Sequence, residues 1–141
     1  MIKSNIVDGR GGKSQAKVTD AGQLVIAPYA YNEIKYVLLD TAATGYTFYS
    51  PRTGYQFVLT NVMLTADSNV VGSAIVDIYE SVAENSATIG TSLFHFEVLK
   101  NYTRDLMGLN VLCSEGAFIN GKTDDDDVYM TLLGYYIPTV G

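Results

Sequence analysis

The stretch Gly116-Ala117-Phe118-Ile119-Asn120-Gly121-Lys122-Thr123 fits the phosphate-loop pattern G-x-x-x-x-G-K-[ST] in full. That chemistry needs the loop to join a parallel strand to a helix, so that backbone amides and the helix N-terminus cradle the phosphates. Here Asp124-Asp125-Asp126-Asp127 follows at once, and four carboxylates repel a triphosphate. Val128 to Ile137 then has the pattern of a strand, and Phe118 and Ile119 have the character of core residues. The sequence therefore predicts no nucleotide binding.

The aspartate run suggests calcium, which favours clustered carboxylates. An EF-hand loop alternates its ligands and places Gly at the sixth position, and this run does neither; it predicts a solvated turn between strands. His95 is the only histidine and Cys113 the only cysteine. A histidine-rich metal centre or a partnered nucleophile needs more than either supplies. His95 is expected on the polar face of a strand, and Cys113, between Leu112 and Ser114, as a small buried hydrophobe. No enzyme, cofactor or metal is expected.

The elements that would position these residues are short strands. Ile34 to Leu39, Tyr46 to Tyr49, Tyr55 to Ala66, Ser73 to Ser81, Thr91 to Leu99, Asn110 to Ser114, Ala117 to Asn120 and Val128 to Ile137 all carry strand patterns, with Thr103 to Met107 ambiguous. Tyr55 to Ala66 predicts Phe57, Leu59, Asn61, Met63 and Thr65 on one face, with Gln56, Val58, Thr60, Val62 and Leu64 on the other. Phe94, Phe96 and Val98 alternate with His95 and Glu97. Short strands broken by turn formers such as Ser50-Pro51-Arg52-Thr53-Gly54 predict an all-β sandwich of jelly-roll type. At 141 residues the chain fits one such domain, 23–141, preceded by an extended, Gly-punctuated N-terminal arm, 1–22.

Charge divides along the same line. Residues 1–17 hold Lys3, Arg10, Lys13 and Lys17 against Asp8 alone, a net of +3, while the remainder sets five basic against fourteen acidic residues, a net of −9. An acidic body disfavours nucleic acid, whose binding rests on Lys and Arg at phosphates. No apolar run reaches the ~20 residues of a membrane helix, and the opening MIKSNIVDGR lacks the apolar core of a secretory signal. No nucleic acid and no membrane are expected as partners. The arm, with apolar anchors Ile2, Ile6 and Val7 among Arg10, Lys13 and Lys17, is expected to order on a partner surface. Eleven tyrosines and no tryptophan favour protein interfaces over sugar platforms. Tyr29, Tyr31, Tyr36 and Tyr49 are the candidate oligomer contacts.

Taken together, Ile6-Val7-Asp8-Gly9-Arg10-Gly11-Gly12, Ala16-Lys17-Val18 and Gly22-Gln23-Leu24 resemble the N-terminal segment of small virion proteins of tailed bacteriophages. Ser50-Pro51-Arg52-Thr53-Gly54, Val76-Asp77-Ile78-Tyr79-Glu80, Glu115-Gly116 and Thr131-Leu132-Leu133-Gly134-Tyr135-Tyr136 extend the likeness along the chain. The resemblance implies a head decoration (cement) protein made in the host cytoplasm and carried on the virion's capsid surface. It also implies a homotrimer, with the major capsid protein as partner to the arm. A tail, neck or fibre component, or a glycan-binding module, is the alternative.

Overall fold

The computed structural model describes residues 33–39, 44–125 and 127–139. All six arm residues singled out above, and Tyr29 and Tyr31, lie outside them. The described residues form nine strands and no helix: β1 (Glu33–Leu39), β2 (Tyr46–Tyr49), β3 (Tyr55–Ala66), β4 (Ser73–Ser81), β5 (Thr91–Leu99), β6 (Thr103–Leu106), β7 (Val111–Leu112), β8 (Phe118–Thr123) and β9 (Val128–Pro138).

Two antiparallel sheets result. The first runs β1-β9-β3-β6, with β7 also on β3; the second runs β2-β8-β4-β5. The pairings are nested: β1 with β9, β2 with β8, β3 with β6 and β7, β4 with β5. A long hairpin rolled so that its arms alternate between two sheets gives this order, which is the jelly roll. Between the sheets lies one core. Leu59, Val62, Leu64, Met130 and Leu132 come from the first sheet, and Val76, Ile78, Val98 and Ile119 from the second.

The long strand β3 departs from the simple alternation its sequence predicts. Its register against β9 shifts between Leu59 and Asn61, leaving Thr60 as the extra residue of a β-bulge. Because side chains alternate with period two, one inserted residue exchanges the two faces. Phe57 and Leu59 are buried before the bulge, and Val62, Leu64 and Ala66 after it, while Met63 turns out to solvent. Thr60 is held there by its own hydroxyl, which donates to the Leu133 carbonyl at 3.1 Å. Opposite the bulge a residue with no side chain is required. A Cβ on Gly134 would lie 2.2 Å from the Val58 carbonyl oxygen and 2.3 Å from the Phe57 ring.

Within the ambiguous Thr103 to Met107 stretch, Thr103–Leu106 is a four-residue edge strand on β3, with Arg104 and Asp105 exposed. Charges on a short edge are a common guard against unwanted pairing. At the opposite side, β1 and β2 are stitched by side chains. Lys35 Nζ donates to the Thr47 carbonyl at 3.2 Å, and the Tyr49 hydroxyl lies 3.2 Å from the Glu33 carbonyl. Arg52 pairs with Glu33 at 2.8 Å and lies over the Tyr136 ring at 3.8 Å.

Candidate interaction surface

The phosphate-loop string is the first residue set to place. Gly116 occupies a turn at φ 79°, and Phe118–Thr123 is β8, paired antiparallel with β2 and β4. Its Lys122 ammonium donates to the Ala87 carbonyl at 3.1 Å, and Thr123 is buried. The two side chains that would serve a nucleotide are thus committed within a sheet.

Three aspartates of the acidic run have structural duties. Asp124 Oδ1 accepts from the Ile75 amide at 2.6 Å, Asp125 Oδ2 from the Val71 amide at 3.0 Å, and Asp127 Oδ2 from the Asn69 amide group at 2.8 Å. Together they tie the β8–β9 connection to the loop between β3 and β4 and to the first residues of β4. Among the described residues no three His, Cys, Asp or Glu side chains are grouped to hold a metal. Cys113 is buried, its thiol pushed up to about 12 by desolvation, with the Glu80 carboxylate nearby acting the same way. His95 is exposed on β5, where its Nδ1 meets Asp77 Oδ1 at 2.7 Å across to β4.

The outer faces of the two sheets differ in kind. On the second sheet, Tyr79, Asn120 and Thr47 have polar side chains yet are fully or almost fully buried. The connection from Val82 to Gly90 lies over them. Asn120 donates to the Ala83 and Ser86 carbonyls at 3.2 and 3.3 Å, and the Tyr79 hydroxyl donates to Ser86 at 2.6 Å. Thr47 and Asn85 exchange two bonds, at 2.8 and 2.9 Å, and the Thr47 hydroxyl donates to Asn120 Oδ1 at 2.8 Å. The loop sits so close that a Cβ on Gly45 would fall 2.2 Å from the Ser86 carbonyl oxygen. The rest of that face pairs Asp77 with His95 and Ser73 with Glu97 across strands, alongside the apolar Ile75 and Leu99.

On the first sheet no described loop plays this part. Register places Ile34, Leu133 and Asn61 in one outward row, Tyr36, Thr131, Met63 and Asp105 in the next, and Leu38, Tyr129, Thr65 and Thr103 in a third. Ile34 is 64% exposed, Tyr36 60% and Met63 47%. Tyr36 stacks on Tyr129 with ring centroids 5.8 Å apart. Acidic groups edge the patch. Asp105 is exposed on β6, and the Tyr129 hydroxyl donates to Asp67 at 3.4 Å, with Asp127 next in chain to the start of β9. The Asp67 carboxyl is held below its usual range, chiefly by the Ser68 amide, and its charge raises the Tyr129 phenol.

Of the candidate tyrosine contacts, Tyr36 lies in the open on this face. Tyr49 does not: it is 6% exposed, stacked on Phe57 at 4.0 Å, and its hydroxyl donates to the Leu132 carbonyl at 2.5 Å. Burial drives its phenol well above the usual value. Tyr49 is a core residue of this chain, and its position removes it from the set of surface contacts. Sequence reasoning missed Ile34, Met63 and Tyr129 as surface candidates. The available signal was that β1 and β9 are apolar on both faces, the pattern of strands covered on both sides. Against known proteins, the sequence matches no protein-family model and no curated protein.

Proposed function

We propose that this chain is a structural protein of a bacteriophage virion, a capsid decoration protein that assembles in many copies on the head. The observation that carries the reading is the contrast between the outer faces. One is closed by the chain's own loop, whereas the other presents Ile34, Tyr36 and Met63 to solvent. An outward apolar patch of this kind marks an interaction site. The jelly roll supports a role in assembly, since rigid sandwiches of this type serve in capsids, although fold by itself does not define function. The side chains a catalytic reading would need are tied into the fold, as Lys122 and Cys113 are.

In this role the body is a rigid plate, and the basic segment 1–22, with Ile2, Ile6, Val7, Arg10, Lys13 and Lys17, links each copy into the layer. Many weak links on one lattice hold firmly together.

Imaging purified virions with a label on this protein tests the reading. Evenly spaced labels over the head are expected. Labels confined to one vertex would move the protein to the neck or tail, and their absence from virions would overturn the proposal. Deleting residues 1–20 should abolish attachment to bare heads while leaving the body's thermal unfolding nearly unchanged.

A further inference from the structure

We infer that the apolar outer face of the first sheet accepts the basic N-terminal segment of a neighbouring copy. The inference deepens the proposal above and rests on its premise that copies associate.

Three features select this occupant. The first is charge. Asp67, Asp105 and Asp127 edge the Ile34–Tyr36–Met63 surface, so a complementary partner carries apolar side chains among cations. Residues 1–17 have that composition, with Ile2, Ile6 and Val7 among Lys3, Arg10, Lys13 and Lys17 at a net of +3. Two such faces meeting directly would instead oppose their acidic margins.

Size is the second. The seven residues of β1 at about 3.3 Å rise each, and four strands about 4.8 Å apart, give a face of roughly 20 by 23 Å. That is about half of the ~800 Å² per partner that a stable pair of globular surfaces requires. A segment of seven or more residues spans it fully, because extended chain covers about 3.3 Å per residue. Reach is the third. Thirty-two residues precede β1, and extended chain of that length reaches on the order of 100 Å, ample for a neighbouring copy.

Pairing through the free edge of β1 is a poorer explanation. Lys35 is directed across that side of the sandwich to Thr47, and an inward charge at an edge opposes strand addition.

Sedimentation of the full-length protein tests the inference. At concentrations up to about 100 µM in low salt, mass should rise with concentration, and about 0.5 M salt should weaken the association on the order of tenfold by screening. Lys13→Glu with Lys17→Glu should weaken it similarly, as should Asp105→Lys, and combining the two changes should restore part of the loss. Tyr36→Ser should weaken it without lowering the thermal midpoint measured at low concentration, where copies are apart. Association that strengthens with salt and ignores the arm charges would mean face-to-face contact and would overturn the inference, as would a monomer throughout. A monomer that still coats heads overturns only this inference. Arm-dependent association in a protein missing from virions overturns only the function.

Discussion

The outer faces of the two sheets are built from the same kind of strand and end in opposite states. On the second sheet β4 alternates without interruption past Ile78, so Tyr79, opposite Asn120 of β8, lies on the outer face under the Val82–Gly90 connection. Every one of those polar groups finds a partner, and among the described residues no buried side-chain nitrogen or oxygen is left without one. On the first sheet, Ile34, Tyr36 and Met63 occupy the equivalent exterior with nothing described above them. A polar exterior covered by its own loop serves the monomer's stability. An apolar exterior left open costs solubility and is retained where something binds. The difference makes the two faces separable by mutation.

The largest effect is expected on the covered face. Asn120→Leu removes the buried acceptor of the Thr47 hydroxyl and the donor to the partly buried Ala83 and Ser86 carbonyls. The Thr47 hydroxyl left unpaired in a buried site costs about 1–3 kcal/mol, while the Ser86 carbonyl keeps the Tyr79 hydroxyl, so the total loss should be about 2 kcal/mol. Urea unfolding followed by circular dichroism measures it. A loss below about 1 kcal/mol, within the range of ordinary surface changes, would mean that the loop does not close this face.

A second, smaller effect comes with alkali. Desolvation, with the Asp77 charge adding to it, raises the Tyr79 phenol from 10.0 to about 12. Between those values the unfolded chain releases a proton that the native state retains. Stability from this group is therefore complete below about pH 10 and is lost as pH rises toward 12. Tyr49, raised further by burial, extends the loss upward. Urea midpoints measured across that range should fall, and Tyr79→Phe should flatten the lower part of the fall. A flat profile in the native sequence would show that these phenols are less confined than their positions imply.

Much of this contrast was hidden in the sequence, though the strands were not. Tyr55–Ala66, Ser73–Ser81 and Thr91–Leu99 lie where period-two alternation and turn residues placed them. Alternation reports that a strand has two faces, but it cannot report an inserted residue. The Thr60 bulge therefore exchanged the predicted faces of β3 and sent Met63 outward. Tyrosine is ambiguous for a related reason, since an amphipathic ring suits an interface and a core equally well. Tyr49 belongs to the core because β2 is enclosed, with Thr47, Phe48 and Tyr49 all buried. The acidic run showed its charge in sequence. Its service to the Val71 and Ile75 amides depends on a loop and a strand forty-nine or more positions away.

The smallest effect on stability is expected on the open face, and it carries the comparison's sharpest test. Tyr36 is 60% exposed, and its one described ring contact is the stack on Tyr129. Tyr36→Ser therefore removes a large apolar side chain that the folded monomer scarcely buries. The change in unfolding free energy should stay within about 0.5 kcal/mol, as for other surface substitutions. The measurement belongs at low protein concentration, because association with a partner copy would add its own stabilisation by mass action. Binding of a hydrophobic dye to the native protein should fall in the same variant, since the exposed patch loses its largest side chain. A loss above about 1 kcal/mol would show that Tyr36 supports the sheet from outside. In that event the first sheet's exterior would be a second structural layer, and both faces would serve the monomer. A neutral change with reduced association would leave the face with only one purpose, to be covered by another chain.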